Sequence, residues 1–548
     1  MNLIILLISS ASILLIAYFT YGKFVASKLK INNKNITPAH TLEDGIDYIP
    51  SKTPVVLGHH FASIAGAGPI IGPIIAIAFG WIPAVIWILV GGIFFGAVHD
   101  LTSMVASMRH DGKSIGVIIQ KYIGRNGKQL FLIFSFATLI LVIAVFADII
   151  AKTFVNNPSV ATASILFIIL AIFFGFVNKI TKNKKGAFTI ASIVGVVLMY
   201  FFIYVGIQIP FALDYKVWVV LLMLYAFITS VTPVSFLLQP RDYLNSFLLY
   251  GLMVFAVIGV VIANPEIKMD NQVQINAENL GYIFPVLFVT VACGAISGFH
   301  SLVASGTTSK QVNKEEDAKM IGFGGMLIES FLAIISIGAV MVITRAEYTS
   351  RLILEGPVSL FAGGLGGIIS STGISVGLAT TFVALTVSAF ALTTLDTCTR
   401  LARFTFQEYF EDVDNKIGKM FAGNRYVATF IVVAFAVFLL TSGEFTTLWP
   451  IFGSANQMLA AMALLAVAVW LIKRKVNSTF VLIPMFFMFA VTLSSLFLFA
   501  VQNFNKGMYI LAILAGLLFL LSIVLIYLAK KSLKKELKKP QVELKKYV

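Results

Sequence analysis

The sequence predicts an all-α integral membrane protein of about fifteen transmembrane helices, built around two five-helix repeats of opposite orientation. Three observations predict it. First, hydrophobic residues make up 59% of the 548 and charged residues 12%, with mean hydropathy +0.94; a soluble chain carries about twice that charge. Second, the apolar residues gather in runs of about 20, the length a helix needs to cross the hydrocarbon layer. Strand-length alternation is absent, which excludes a membrane β-barrel. Third, two runs are interrupted by small and helix-breaking residues, each at the head of a five-helix block.

In chain order the runs fall at about 2–22, 55–80, 82–108, 130–152, 160–178, 186–207, 216–238, 243–263, 282–304, 321–344, 374–396, 426–442, 447–472, 480–501 and 508–529. The first has no Lys or Arg before it and is followed by Lys23, Lys28 and Lys30. That pattern fits an uncleaved helix starting outside, not a secretory signal. Gly356, Pro357 and the cluster from Gly363 to Gly367 mark 345–373 as a candidate re-entrant piece. Assigning Lys and Arg to alternating sides puts 34 on one and 6 on the other. The basic side is expected to be cytoplasmic, with the N-terminus outside and the lysine-rich tail Lys530 to Val548 inside.

The first interrupted run reads Gly58-His59-His60-Phe61 through Gly66-Ala67-Gly68-Pro69 to Gly72-Pro73. The second reads Cys293-Gly294 through Ser297-Gly298-Phe299-His300-Ser301 to Thr308. Charge alternation starts the two blocks on opposite sides, the signature of an inverted repeat whose discontinuous helices mark a binding site. The third helix of each block ends with an acid, Asp148 and Asp396. The expected organisation is 1–54, first helix and cytoplasmic loop; 55–207, first repeat; 208–281, a two-helix insertion; 282–472, second repeat; and 473–548, two helices and a basic tail.

The net charge of +15 does not point to nucleic acid, because the basic residues sit at the ends of apolar runs. Cys293 and Cys398, the only cysteines, build neither a disulfide framework nor a zinc site.

Gly66, Gly68 and Gly72, with Pro69 and Pro73, free backbone groups inside the membrane, which only protein or a watery cavity can satisfy. Half-helix amides there suit an anion, with Ser297 and Ser301 adding hydroxyls; the plain alternative is a kinked, closely packed helix. His59, His60 and His300 lie on the interrupted helices and join this substrate-binding set, although a lone intramembrane histidine is more often a packing residue. Asp100, beside His99 on a helix carrying Gly92, Gly96 and Ser103, and Glu329 are acids deep in apolar runs, costly unless functional. Asp396 stands four before Arg400, and Thr393 and Thr394 could offer hydroxyls to sodium. Asp100, Glu329, Asp396, Thr393 and Thr394 are therefore the candidate ion-coupling residues. Asp148 with Lys152 reads as a salt bridge at a membrane edge, and Gln239 to Tyr243 as a cytoplasmic turn.

At these motifs the sequence resembles the carbon starvation protein A (CstA) family. The stretches that carry the resemblance are Gly58 to Phe61 through Gly72-Pro73, Pro240-Arg241-Asp242-Tyr243, Cys293-Gly294 through Thr308, Glu329-Ser330, Leu395-Asp396 through Arg403-Phe404, and Trp449 to Met458. They run in order over about 55–470. The resemblance implies a secondary transporter of the amino acid–polyamine–organocation type with a LeuT-like core, taking up peptides or pyruvate with protons. The expected function is alternating-access import of small carboxylates across a bacterial cytoplasmic (inner) membrane. A proton is the expected coupling ion and sodium the alternative. The expected partners are the solute and the lipid bilayer, with no cofactor, no metal and no nucleic acid. A membrane-embedded enzyme lacks its signatures, H-E-x-x-H or G-x-S-x-G; a channel would pass flux that never runs uphill.

Overall fold

Helices form where the apolar runs lie, and they break where glycine and proline cluster. A computed structural model describes residues 2–45, 47–181, 186–232, 237–277, 280–411, 413, 415–442 and 445–537. Residues 538–548 of the expected basic tail lie outside that range. In order come α1 (Leu3–Phe19, continued by Tyr21–Lys28), the bent pair α2 (Thr53–Ile64) and α3 (Gly68–Ala76), and α4 (Trp81–Met108). Next are α5 (Arg125–Asn156), α6 (Pro158–Thr181), α7 (Ala187–Gln208), α8 (Tyr215–Val231) and α9 (Leu238–Ala263). The second half holds the broken pair α10 (Ile283–Val291) and α11 (Gly298–Gly306), then α12 (Lys319–Val340), α13 (Arg345–Ser370) and α14 (Val376–Glu411). It closes with α15 (Arg425–Ser442), α16 (Phe445–Lys473), α17 (Thr479–Asn505) and α18 (Tyr509–Leu537). Two-residue strands at Asn276–Ala277 and Gly281–Tyr282 pair in a loop.

The helix the hydropathy pattern left aside is α13. It bends at Gly356, whose φ of 77° and ψ of 169° a side chain would resist, with Pro357 next to it. Its start holds the end of α3: Tyr348 donates to the Ile74 carbonyl at 2.7 Å and Arg345 lies 3.4 Å from the Ala78 carbonyl. Its far end returns to the same place, with Ser371 Oγ 3.2 Å from the Gly259 carbonyl near the end of α9. Loop backbone ties these ends together: Leu3 N to Pro265 O (3.0 Å), Gln274 N to Phe79 O (2.9 Å) and Lys268 N to Met341 O (2.9 Å).

The opposite end is closed by the loop after α1. Glu315 is buried and accepts from the Arg109 guanidinium, Asn32 N (2.9 Å) and Asn35 Nδ2 (2.7 Å). Ile49 N and Ser51 N donate to Lys310 O and Gln311 O at 3.2 and 3.1 Å.

Between the ends, α5 and α14 form the longest packed pair. The short helices α8 and α15 pack on both of them and on each other, α9 packs on α2, and α16 on α11. By contrast, α6 and α7 pair mainly with one another, and α7 turns Ile190, Ile193, Val197 and Phe201 outward. Two π-helical turns interrupt the regular ladder, Gly92–Gly96 within α4 and Lys319–Gly324 at the start of α12. Such turns displace the register of the helix beyond them, and Asp100 and Glu329 stand within five residues of their ends.

Candidate functional site

Both interrupted runs are broken, and the breaks meet. α2 ends at Ile64, the chain turns with Gly66 N donating to Ile64 O at 2.8 Å, and α3 restarts at Gly68 with Pro69 in its first turn, where a missing N–H costs nothing. The two helical segments are bent by 47°. α10 ends at Val291; Ala292 takes φ 32°, a short turn comes next, and α11 starts after an extended Ser297. A side chain at Gly72 would run into the carbonyls of Thr290 and Val291, so the two broken helices cross backbone to backbone. At Gly68 an added methyl would sit 2.6 Å from Cys293 Sγ, and at Gly66 it would strike Thr394 Oγ1.

A narrow cavity lies at this crossing, lined by Ile64, Gly66, Gly68, Val142, Phe146, Cys293, Phe299, Thr394, Phe452 and Asn456. Its polar groups are a hydroxyl, a thiol, a carboxamide and backbone; among the described residues no charged side chain lines it. Asn456 on α16 caps α11. Its Oδ1 accepts from Phe299 N at 2.9 Å while Nδ2 donates to Ser297 Oγ at 3.0 Å. Gly298 is required there, since a side chain would meet the backbone of Asn456 and Ala460.

Beside the cavity, four titratable side chains with no solvent exposure form a chain across three helices. His99 Nδ1 lies 2.7 Å from Asp100 Oδ1, His300 Nδ1 lies 2.9 Å from Asp100 Oδ2, and His300 Nε2 lies 3.4 Å from Glu329 Oε2. His60, on α2, points toward this group and pairs with Thr308 Oγ1 at 2.9 Å. Apart from the long 3.4 Å His300–Glu329 contact, the Nε2 atoms of His60, His99 and His300 and both Glu329 oxygens have no hydrogen-bond partner among the described residues. Buried polar atoms left in that condition are expensive, and expense of that kind concentrates at functional sites.

A second buried cluster holds Asp396. Arg241 at the start of α9 bonds Asp396 directly and donates to Asp242 at 2.9 Å; Tyr225 and Thr229 of α8 donate to Asp396 at 3.0 and 3.1 Å. Arg400 turns instead to the carbonyls of Thr229 and Thr232, at 2.7 and 2.5 Å. Thr393 donates toward Asp242 at 3.2 Å, so it and Thr394 point to different places. The carboxylate considered for sodium already has a guanidinium as counter-ion.

The predicted residues thus divide. Gly66, Gly68 and Thr394 line the cavity, Ser297 stands at its edge, and Gly72 shapes it by close approach. Asp100, His99, His300, Glu329 and His60 share the first cluster. Asp396 and Thr393 share the second, with His59 in electrostatic reach of Asp242. Ser301 donates to Gly298 O within its own helix at 2.7 Å. Asp148 pairs with Lys152 at 2.9 Å, as the spacing predicts, and also accepts from Tyr215 at 2.6 Å. Sequence reasoning missed Asn456, Tyr225, Thr229 and the reach of Arg241. Asn456 and Arg241 sit in the family-like stretches; Tyr225 and Thr229 carry no signal beyond being polar on an apolar helix.

The sequence profile of the family described as carbon starvation protein CstA matches residues 2–355 and 349–495. A Campylobacter jejuni protein named "Peptide transporter CstA" is 34% identical over 89% of this chain and 79% of its own length. A Bacillus subtilis protein of the same name is 32% identical over 86% of each chain. The Escherichia coli protein named "Pyruvate/proton symporter BtsT" is 31% identical over 86% of this chain and 77% of its own.

Proposed function

The chain belongs to the CstA carbon starvation protein family, and from that premise we propose that it imports small carboxylates with protons, by alternating access, across a bacterial cytoplasmic membrane. It is a multi-pass membrane transporter, not an enzyme in this reading, and its substrate meets it at the crossing of the two broken helices. The observation that carries the reading is the buried His99–Asp100–His300–Glu329 chain beside that crossing. Titratable groups packed against a cavity without any charge of its own are what proton coupling requires.

The cavity lining favours a monocarboxylate with a short apolar end, such as pyruvate. A peptide would bring an ammonium, and the buried acids described above already face other partners: Asp100 and Glu329 face histidine, Asp396 and Asp242 face Arg241, and Asp148 faces Tyr215 and Lys152. Thr394, Cys293 and Asn456 with the first-turn backbone of α3 at Gly68 would hold the carboxylate. The guanidinium already beside Asp396 argues for a proton over sodium as coupling ion.

The packing supports a five-plus-five inverted repeat of LeuT type. The like-for-like pairs are α2–α3 with α10–α11, α4 with α12, α5 with α14, α8 with α15 and α9 with α16. In this register the α6–α7 hairpin, instead of 208–281, is the element outside the repeats. α13 begins and returns at one end, so it adds no crossing, and fifteen crossings with an outside N-terminus remain compatible with the lysine and arginine distribution.

The test is uptake into proteoliposomes of labelled pyruvate against di- and tripeptides, with pH and sodium gradients imposed separately. The expected result is uphill, saturable pyruvate uptake driven by inward-directed protons and indifferent to replacement of sodium by choline. Uptake that never exceeds the external concentration would refute a coupled carrier.

A further inference from the structure

We propose that a buried file of hydroxyls between α4 and α11 conducts the coupled proton from the Asp100–His300 cluster to the end of the molecule where Lys113 is exposed. The inference rests on the proton-coupled reading above. α4 carries Asp100, Ser103 and Ser107 at spacings of three and four, which share one helix face. α11 and the turn after it carry His300, Ser305, Thr308 and Ser309. All are buried to 0% exposure.

Close packing alone does not account for these residues. Alanine would let the helices approach as closely, whereas a buried hydroxyl lacking a partner costs about 1–3 kcal/mol. Among the described residues Ser103 Oγ is such a hydroxyl, one turn from Asp100, and His60 Nε2 and His99 Nε2 are also unpartnered at the Asp100 end of the file. Farther along, Ser107 has one proton and three acceptors: Lys113 O at 2.8 Å, Ser309 Oγ at 2.9 Å and Ser305 O at 3.2 Å. Ser305 Oγ in turn lies 2.6 Å from Ser301 O and accepts from Ile115 N at 3.3 Å. A hydroxyl that can accept a proton on one lone pair and swing its own to another acceptor is the element of a relay.

Asp100 and Ser103 are one turn apart, about 4.5 Å along the axis, a span one bridging water covers. Ser103 to Ser107 is a further turn. Lys113 O opens on a loop in which Asp111 and Lys113 are exposed. His110, with Nε2 2.9 Å from Tyr122 Oη, stands at that exit. The titratable groups facing the file are thus His60, His99, Asp100, His300 and Glu329 at one end, with Cys293 near Glu329, and His110 at the other. Each transfer moves a proton between side-chain and water O–H groups, the Lys113 and Ser305 carbonyls only orienting the Ser107 hydroxyl, and solvent water at the exposed loop receives the proton at the end, so no co-reactant beyond water is needed.

The test compares pH-gradient-driven pyruvate uptake with pyruvate counterflow at equal pH, in proteoliposomes holding the unmodified protein, S107A/S309A and S107T/S309T. Counterflow exchanges solute without net proton release. S107A/S309A is expected to lose about tenfold in gradient-driven uptake, as for removal of a proton-transfer group that water only partly replaces, with counterflow unchanged and the threonine pair restoring uptake. Unchanged gradient-driven uptake overturns the route, and so does an equal fall in both assays, which marks a structural role. If the double variant does not fold, S107A alone carries the same two outcomes. Failure of the unmodified protein to take up pyruvate down a proton gradient would count against the proposed function itself, not against the route.

Discussion

Arg241 and Asp396 allow the buried charges to be weighed one against another, because their environments are unequal. Asp396 has no solvent exposure and accepts from Arg241, Tyr225 and Thr229, while Arg241 also donates to Asp242. Breaking a buried pair by removing one partner costs about 3–5 kcal/mol, because an uncompensated charge is left behind. Asp396→Asn leaves Arg241 still facing the Asp242 carboxylate at 2.9 Å, so its cost should fall at the lower end, about 3 kcal/mol. Arg241→Gln strips the paired cation from both Asp396 and Asp242, which among the described residues then keep the hydroxyl donors Tyr225, Thr229 and Thr393. Its cost should reach the upper end, about 5 kcal/mol. The double variant should be less damaging than Arg241→Gln alone, since it removes one of the two stranded carboxylates. Thermal unfolding of the purified variants in one detergent, arranged as a double-mutant cycle, reads the order. Additive effects, or Asp396→Asn proving the worse of the two single changes, would refute the claim that Arg241 is the counter-ion on which Asp396 depends.

The same geometry sets four further outcomes. Glu329→Gln should lower gradient-driven uptake while leaving counterflow largely intact; unaffected uptake would remove Glu329 from the coupling chain. Gly66→Ala should impair transport and cost about 1–3 kcal/mol of overpacking, and Thr394→Ala should partly rescue it in thermal unfolding, because Thr394 Oγ1 is the atom an added methyl strikes. In a Cys398→Ser background, saturating substrate should slow alkylation of cavity-lining Cys293, monitored by intact-mass spectrometry; equal rates would take Cys293 out of the binding cavity. At the end holding α13, hydrogen bonds from Arg345 hold the Asp270 carboxyl below the ordinary aspartate range. A depressed folded value means that the contact contributes stability above the unfolded value of 3.8 and loses it as pH falls through the lower folded one. Protection factors of the 264–277 amides, with the intrinsic pH dependence of exchange divided out, should therefore stay flat from pH 7 to 5, an interval lying above the unfolded value, and fall only in stronger acid.

What could be read in the sequence was whatever depends on neighbours along the chain. Apolar runs gave helices, and Gly66 to Pro73 gave a break, since proline and glycine act on their own turn. Deep acids such as Asp100 and Glu329 announced themselves through the cost of carrying them. Which group satisfies each acid was not legible. His300 reaches Asp100 across 200 positions and Arg241 reaches Asp396 across 155, and nothing in local pattern distinguishes these from the nearer pairs. Arg400 was the nearer cation to Asp396 in sequence, yet its guanidinium caps carbonyls at the end of α8. The hydropathy of α13 was diluted by Arg345, Glu347, Arg351 and Glu355, and only its contacts reveal that it returns to the end from which it starts.

The two polar clusters also differ in which helices they join, and that difference bears on mechanism. The first binds α2, α4, α11 and α12; the second binds α8, α9 and α14. The cavity is lined by Gly66, Gly68, Cys293 and Phe299 from the broken helices, by Thr394 from α14 of the second set, and by Val142 and Asn456 from α5 and α16, which pack on α14 and on α11. A relative movement of the two sets would open the cavity without breaking either cluster, so the cost of opening would fall on weaker contacts across it. Among these is Asn456 of α16, which reaches across the cavity mouth to cap α11. A carboxylate entering beside Phe299 N could replace that amide oxygen as acceptor, so that binding the substrate loosens the bond holding α16 to α11. Differential interaction of that kind is what lets a ligand shift a conformational equilibrium.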